Sequence, residues 1–233
     1  MATPISPNAS DGDEAPEEVT PVEGTRALLR LVDELASHLH PGDRAFDRFL
    51  PLDLQLVSAT HWTPLSVASR VAEWIDDLGL RTVVDIGSGA GKFCVSAALA
   101  CRARFIGVEQ RASLVSAAQD LARVFAVEDR VTFVQGTFGV TPLPEAEAYY
   151  LFNPFGENLF PSEARLDDEV ELSDDRYHRD ILSARRFLME APVGTYVFTY
   201  NGFGGTFPLT YCQVQVDREL PNMLRLFKKT ARG

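Results

Sequence analysis

The chain has 233 residues, a length that fits one domain with a substantial core, and 45% of them are hydrophobic. Its formal net charge is −11, and because an acidic protein repels phosphate backbones, we do not expect it to bind duplex nucleic acid. It shows no membrane-length apolar run and no signal peptide pattern, so we expect a cytoplasmic protein that does not bind membranes.

The first 60 residues are predicted to lie outside the main domain. Residues 1–24 carry six acids and four prolines but no lysine or arginine, a composition typical of a disordered acidic tail. The remaining 27 acidic residues still outnumber the 22 basic ones. Residues 25–60 are predicted to form a helical extension, whose first helix covers 25–39 and ends before Pro41-Gly42. We expect the main domain over residues 61–233.

A second helix is predicted at the start of this domain. Thr63 followed by Pro64 is typical of a helix N-terminus, with Thr63 as the N-cap residue and Pro64 at the first helical position. Gly79 marks the end of the helix. The N–H groups at such an N-terminus suit a ligand carboxylate.

The most informative segment is a predicted strand over 82–87 that leads into a glycine turn. Gly87, Gly89 and Gly91 alternate with other residues, and a helix is predicted to follow. Because glycine has no Cβ, such a turn lets a flat ligand lie against bare backbone. Asp85 precedes the turn, where its carboxylate can reach the amino or hydroxyl groups of a ligand. The segment predicts a nucleotide-type site.

The spacing of the turn excludes two phosphate-binding motifs. The dinucleotide fingerprint needs a third glycine where the chain has Lys92. The G-x-x-x-x-G-K-[ST] loop needs a glycine and a serine or threonine where the chain has Ile86 and Phe93. An NAD-dependent enzyme is therefore disfavoured.

Strands and helices alternate after the turn. This alternation predicts a mostly parallel sheet with helices on both faces. The last two strands are too close in sequence for a crossover helix, so they are expected to form an antiparallel hairpin. The predicted helices cover 92–101, 111–126 and 174–190, and the further predicted strands cover 104–109, 131–135, 148–153, 195–200, 211–216 and 224–227.

The Asp-x-Gly-x-Gly-x-Gly pattern of residues 85–91 resembles the first motif of the class I S-adenosylmethionine-dependent methyltransferases. The resemblance implies S-adenosylmethionine as the cofactor and an α/β, Rossmann-like sheet of seven strands that ends in an antiparallel hairpin. In that family the acid that ends the second strand binds the ribose of the cofactor, and Glu109 takes that position here. Gln110 follows it at the same edge of the sheet.

Two other segments match the family less closely. After the third strand the family places Gly-Asp to read the adenine amino group, whereas here Gly136 is followed by Thr137. Gln135, the Thr137 hydroxyl or a backbone carbonyl can take over that contact. His61-Trp62-Thr63-Pro64 resembles an aromatic-Thr-Pro segment that lies beside the methionine carboxylate of the cofactor. The same residues equally suit an ordinary capped helix with its tryptophan in the core.

The fourth predicted strand ends in Asn153-Pro154-Phe155, which resembles the (Asp/Asn)-Pro-Pro-(Tyr/Phe) motif of N-methyltransferases. The Asn153 side chain and the Pro154 carbonyl can accept N–H bonds from an acceptor nitrogen, and an aromatic ring can stack on a planar acceptor or favour the sulfonium cation. The chain departs from the motif in having one proline, followed by Gly156. A related Asn-Asn-Phe segment of some lysine methyltransferases leaves an aliphatic amine acceptor open. An ordinary strand end capped by Asn-Pro is the alternative.

These matches define two sets of candidate residues. The acceptor set, expected to be catalytic, is Asn153, Pro154 and Phe155. The spacing of the histidines is not typical of a metal site, and the cysteines suit the core, so no metal is expected. The cofactor-binding set is Thr63, Asp85, Gly87, Ser88, Gly89, Gly91, Glu109, Gln110, Gly136, Thr137 and Asn153.

Residues 157–175 carry eight carboxylates and one arginine. Because they directly follow the acceptor motif, they are predicted either as an acidic lid that favours a cationic substrate or as a solvated loop leading into the next helix. Tyr196, Tyr200 and Phe203 are either an aromatic wall of the site or core residues.

We interpret the chain as an S-adenosylmethionine-dependent methyltransferase that acts on nitrogen, with a cationic protein segment or a small amine as the acceptor. A non-catalytic cofactor-binding or scaffold protein is the alternative outside enzymes. A methyltransferase acting on adenine in RNA or DNA is less favoured, because the protein is acidic and shows no second domain to read a nucleic acid sequence.

Overall fold

The computed structural model describes residues 21–39 and 41–232. Most of the predicted acidic tail lies outside these residues, but its last four, 21–24, are helical. Helix α1 covers Pro21–Ala36 rather than 25–39. It begins earlier because proline suits the first turn of a helix and Glu23 adds an acid to that turn. It ends earlier because His38 takes a left-handed backbone conformation, with φ of 53°.

The rest of the extension consists of short helices. Pro51 and Pro64 stand just before two helices and so separate successive helical turns. Helix α5 ends at Gly79, whose φ of 63° confirms the predicted terminator. Among the described residues, no helix has the length and apolar character needed to cross a bilayer. The extension contains α2 (Asp43–Asp47) and α3 (Leu52–Leu56), α4 (Ser58–His61) ends just after it, and α5 (Leu65–Leu78) follows in the main domain.

Seven strands form one sheet, in the order β3-β2-β1-β4-β5-β7-β6. The first five strands are parallel, and the last two form an antiparallel hairpin that joins the sheet through β7. The predicted Rossmann-like fold is therefore confirmed. The strands are β1 (Thr82–Ile86), β2 (Arg104–Glu109), β3 (Val131–Gln135), β4 (Ala148–Phe152), β5 (Tyr196–Tyr200), β6 (Tyr211–Asp217) and β7 (Leu224–Lys229).

Two strands that border the site end one residue earlier than predicted. Both β1 and β4 stop where the backbone becomes left-handed, at Gly87 with φ of 77° and at Asn153 with φ of 39°. A left-handed residue turns the chain out of the sheet, so these residues direct the following loops across its edge. The remaining helices are α6 (Lys92–Ala100), α7 (Ala112–Val124) and α8 (Asp174–Glu190).

Helices cover both faces of the sheet, but unequally. The larger core lies on one face, where residues of α5, α6 and α7 join those of the sheet and α1 packs against α6. On the other face α8 is joined by loop residues such as Phe203. Within the described residues, the connections after β3 and β5 contain no helix. Tyr200 and Phe203 are fully buried, with 1% and 0% exposure, and so belong to the core rather than to a wall of the site.

Candidate functional site

A cleft opens at the carboxyl ends of β1, β2 and β4, the edge at which parallel α/β sheets bind ligands. The fold brings together there the glycine turn, the acid of β2 and the acceptor motif, which come from three separate parts of the chain. The predicted residues that line the cleft are Gly87, Gly89, Glu109, Gln110, Gly136, Asn153, Pro154 and Phe155.

Three predicted residues lie beneath the glycine turn instead. Thr63, Asp85 and Ser88 line a small recess that Gly87 separates from the cleft. The Ser88 hydroxyl packs against Gly107 of β2, where an added Cβ would lie 2.6 Å from it. These side chains therefore line the recess and not the cleft.

Two further predicted residues line neither space. Gly91 faces the interior, where an added Cβ would lie 2.6 Å from the ring of Phe133. The backbone N–H of Thr137 donates a hydrogen bond to the Thr141 hydroxyl at 3.1 Å. Gly91 thus acts by shaping the turn, and Thr137 belongs to a loop beside the cleft.

The glycine turn needs glycine for both conformation and space. Gly87, Gly89 and Gly91 have φ of 77°, 53° and 80°, in the region that side chains rarely adopt. A Cβ on Gly89 would lie 2.3 Å from the indole of Trp62, and one on Gly87 would lie 3.2 Å from Cβ of Pro154. The turn is therefore packed between the N-terminal extension and the acceptor motif.

The Glu109 carboxylate is buried at the end of β2 and oriented by the backbone. The N–H of Gly89 donates to Oε2 at 3.0 Å, and the N–H of Arg111 donates to Oε1 at 2.9 Å. Burial raises the pKa of Glu109, although these hydrogen bonds oppose the rise. Each oxygen keeps a further lone pair that can accept a hydrogen bond from a ligand hydroxyl.

Asp85 is a second buried carboxyl close to the turn. Burial raises the pKa of Asp85 to about 7, and the negative charge of Glu109 adds to this rise. The thiol of Cys94, which lies 3.5 Å from Oδ2, opposes the rise by donating a hydrogen bond to the carboxylate. Among the described residues, no cation forms an ion pair with Asp85. A ligand ammonium group that entered the recess would supply that missing charge.

Lys92 fixes the N-terminal extension to the glycine turn. Its side chain is only 2% exposed, and its Nζ lies 2.7 Å from carboxylate oxygens of both Asp43 and Asp47. It also donates to the Ser58 hydroxyl at 3.1 Å. In the sequence, Lys92 was noted only because it stands where the dinucleotide fingerprint needs a glycine. Its ion pairs were not predicted, because partners so distant along the chain leave no local pattern.

The N-terminus of α5 differs from the prediction. Pro64 is the N-cap residue and α5 begins at Leu65, whose N–H donates to Oδ1 of Asp43 at 2.9 Å. The Thr63 hydroxyl is instead hydrogen-bonded to the Tyr150 hydroxyl at 3.0 Å. The expectation that Thr63 caps the helix is wrong, because a carboxylate from α2 takes the N–H that Thr63 was expected to bind.

The strap, defined as residues 156–172, crosses the cleft between the acceptor motif and α8. Arg111, which is 3% exposed, holds it through Glu157 and Asp167, each with an N–O distance of 2.9 Å. Glu169 accepts the Ala112 N–H at 2.8 Å at the N-terminus of α7. These contacts place the strap over the residues that follow Glu109.

The acidic segment 157–175 borders the cleft and also leads into α8. Three of its carboxylates hold the strap, while Asp174 and Asp175 begin α8 behind the N-cap Ser173. The carboxylates that remain exposed and uncommitted to the strap contacts are Glu163, Asp168, Glu171, Asp174 and Asp175.

The acceptor motif begins at Asn153, whose N–H donates to the Gly202 carbonyl at 3.0 Å. The Asn153 amide lies over Gly156, where an added Cβ would be 2.2 Å from Nδ2. The departure at Gly156 therefore makes room for Asn153. Among the described residues, no side chain is hydrogen-bonded to the Asn153 amide or to the Pro154 carbonyl. Phe155 is 4% exposed and packs against Phe138, so it forms the floor of the cleft.

Several cleft residues were not found by sequence reasoning. Arg111 and Phe160 line the cleft but belong to no motif, and His61, which also lines it, was quoted only as the first residue of the aromatic-Thr-Pro segment and given no role of its own. Their roles depend on contacts between distant segments, which composition and spacing do not reveal. Within the described ranges, no three His, Cys, Asp or Glu side chains cluster as a metal site.

Comparison with known proteins gives the fold class. No protein-family model and no curated protein matches the sequence. An RNA methyltransferase from Salinibacter ruber, solved with S-adenosyl-L-homocysteine, is 22% identical with a TM-score of 0.52, and the match covers 73% of this chain and 95% of that one. The mitomycin 7-O-methyltransferase MmcR is 13% identical with a TM-score of 0.54, and the match covers 91% of this chain and 69% of that one. The chain therefore has the fold of the class I S-adenosylmethionine-dependent methyltransferases.

Proposed function

We propose that the chain is an S-adenosylmethionine-dependent methyltransferase that acts on a nitrogen acceptor, either a small amine or the amine of a cationic protein segment. One observation carries the proposal: the bare backbone of Gly87 and Gly89, the buried carboxylate of Glu109 and the carbonyl groups of Asn153 and Pro154 border one cleft. The glycine backbone and Glu109 can bind a nucleoside that carries a charged tail, and the carbonyl groups of Asn153 and Pro154 can bind a nitrogen nucleophile beside it.

The residues present fit the cofactor. Glu109 can accept hydrogen bonds from both ribose hydroxyls, and Asp85 offers a carboxylate to the amino group of the methionine moiety. Gln110 and Gly136 border the adenine side of the cleft, with Thr137 beside them. Gly91 and Ser88 shape the turn, and Thr63 lines the recess beside Asp85. The bound cofactor would supply a methyl group activated by a sulfonium.

Asn153 and Pro154 are proposed to orient the acceptor. The side-chain oxygen of Asn153 and the backbone oxygen of Pro154 can accept two N–H bonds from one nitrogen and so point its lone pair toward the methyl group. Holding nucleophile and methyl in line supplies most of the rate of such a transfer, so no nucleophilic side chain is required. Phe155 supports this arrangement from the floor of the cleft.

The charge of the site favours a cationic acceptor. The exposed acids of the strap and of the first turn of α8 attract an ammonium and repel a phosphate backbone. The Salinibacter neighbour acts on RNA, so RNA is the acceptor class that the same experiment must test.

The experiment incubates the protein with methyl-labelled S-adenosylmethionine and cell extract, then separates protein, RNA and small molecules. We expect label in protein or in small amines, and we expect Asn153→Ala to lower the rate at which label appears by about 100-fold. Asn201→Ala is the matched control, since Asn201 is also left-handed, with φ of 61°, but exposed.

Three other outcomes would change the proposal. Label in RNA would replace the amine acceptor by a nucleic acid. Binding of S-adenosylhomocysteine without label in any fraction would indicate a non-catalytic cofactor-binding protein. Absence of both binding and label would refute the proposed function.

A further inference from the structure

His61 is a cleft residue that the proposed function leaves without a role. It ends α4 and lines both the cleft and the recess beneath the glycine turn. Its half-buried ring packs edge-on against Phe160 of the strap, with 5.8 Å between ring centroids. Among the described residues, none forms a hydrogen bond with either ring nitrogen. The imidazole is therefore held in place with its nitrogens available to a ligand.

The surroundings of His61 favour the neutral imidazole. Burial lowers its pKa below the usual 6.5, the carboxylate of Glu157 opposes that effect, and Arg111 adds to it. At neutral pH the ring therefore has one nitrogen free to accept a proton. The other charged groups that share the cleft or the recess with it are Asp85, Lys92, Glu109, Arg176 and Asp180.

An amine acceptor arrives in the form that cannot react. A primary alkylamine has a pKa of about 10.4, so at neutral pH it enters the cleft as an ammonium ion, without a lone pair on nitrogen. The exposed acids around the strap favour entry of that ion, but they do not lie on the path of the methyl group. A base inside the cleft must remove the proton before nitrogen can attack.

We infer, on the basis of the proposed function, that His61 is a catalytic residue that removes a proton from the acceptor nitrogen. The ammonium N–H bond breaks, the proton moves to the free imidazole nitrogen, and the electron pair stays on the acceptor. The lone pair then bonds to the methyl carbon as the carbon–sulfur bond breaks, and the electrons of that bond stay on sulfur. Asn153 and Pro154 hold the remaining N–H groups, and the imidazolium returns its proton to solvent.

Two variants test this role. His61→Phe keeps a ring against Phe160 but removes the nitrogens, and His61→Gln keeps a polar side chain without a titratable group. His178→Gln is the matched control, because His178 is exposed on α8. Rates are measured from about pH 5 to pH 9 with labelled cofactor and the extract fraction that takes up label.

The expected rate of the wild-type protein rises with pH as His61 loses its proton. Both His61 variants should lose about 10²- to 10³-fold in kcat and lose the acidic limb of the profile. Affinity for S-adenosylhomocysteine should change by less than about threefold, which a merely structural role would not predict. In histidine ¹⁵N spectra of the wild type, His61 should titrate below the usual 6.5.

The results that overturn the inference differ from those that refute the proposed function. Wild-type rates with the acidic limb retained in both variants would remove His61 from the mechanism while leaving methyl transfer intact. A His61 that titrates at or above the usual 6.5 would do the same. Absence of label and of S-adenosylhomocysteine binding in the wild-type protein would refute the proposed function, and the inference with it.

Discussion

The glycine turn and the strap both border the cleft, yet they are held in different ways. The turn is shaped by residues within it, since Gly87 and Gly89 have positive φ and no room for a Cβ. The strap has little regular structure, and Arg111 and Glu169 join it to the start of α7. The turn is fixed by its backbone, by packing and by the buried Lys92 cluster behind it, whereas the strap is fixed mainly by ion pairs and hydrogen bonds of partly exposed carboxylates.

This difference suggests separate tasks for the two walls. Packing contacts are insensitive to salt, whereas ion pairs with partly exposed carboxylates are screened by it. We therefore expect the turn to set the affinity for the cofactor and the strap to set how fast the cofactor enters and leaves. Substitutions on each side can test that division.

The largest expected effect is on the turn side, at Lys92. Lys92→Met leaves Asp43 and Asp47 without their shared cation, so we expect a loss of about 3–5 kcal/mol in the free energy of unfolding. Affinity for S-adenosylhomocysteine should fall as the extension loosens from the turn. Urea denaturation and calorimetry measure both quantities.

The control for Lys92 is Lys228→Met. The Lys228 ammonium lies 4.9 Å from the centroid of the Tyr196 ring, a contact worth about 0.5–1 kcal/mol. Equal losses in the two variants would contradict a special role for the buried cluster.

Gly89→Ala is expected to have the next largest effect. Left-handed strain together with the contact against Trp62 should lower the free energy of unfolding by about 2–4 kcal/mol and abolish S-adenosylhomocysteine binding. Gly79→Ala is the matched control, because Gly79 has φ of 63° and no atom within 4 Å of an added Cβ. It should lose about 1–2 kcal/mol and bind normally. Normal binding by Gly89→Ala would show that the turn does not hold the cofactor.

Asp85→Asn should increase stability while weakening binding. The carboxyl has a pKa of about 7 in the folded protein against an ordinary value of 3.8. The folded state therefore keeps a proton that the unfolded state loses, and stability falls as pH rises between these values. Asparagine does not ionise, so above pH 7 the variant should be more stable by up to a few kcal/mol, at about 1.4 kcal/mol for each unit of pKa difference.

Denaturation at acidic and alkaline pH checks this prediction, with the exposed Asp53→Asn as control. Unchanged affinity for S-adenosylhomocysteine in Asp85→Asn would remove Asp85 from the cofactor site.

The contrast between turn and strap also explains what the sequence could predict. The strands, the terminal hairpin, the glycine turn and Glu109 follow local patterns of apolar residues, glycine and strand ends, and all were predicted. The cap of α5 was mispredicted because Asp43 lies outside the local Thr-Pro pattern. The ion pairs of Lys92 and Arg111 join residues far apart along the chain, and such pairs leave no periodicity to detect.

The smallest expected effect is on the strap side, at Arg111. Because the strap has little regular structure, Glu157 and Asp167 can turn toward water once the cation is lost, so Arg111→Met should cost only about 1–2 kcal/mol. Dissociation of S-adenosylhomocysteine should be about tenfold faster from Arg111→Met than from the wild type. Added salt should reduce this difference in dissociation rate, because it screens the Arg111 ion pairs of the wild type. Stopped-flow fluorescence measures that rate.

Arg123→Met, which removes an exposed pair with Asp120, is the control and should change stability by less than about 1 kcal/mol. Identical dissociation rates in Arg111→Met and the wild type would mean that the strap does not control exchange.

A crystal structure of the protein with S-adenosylhomocysteine tests the central claim most directly. We expect the ligand in the cleft, with its ribose hydroxyls on the Glu109 carboxylate, its amino group toward Asp85 and its sulfur facing Asn153 and Pro154. A ligand bound elsewhere, a ribose that does not contact Glu109, or no binding at about 1 mM ligand would contradict the assignment of this cleft.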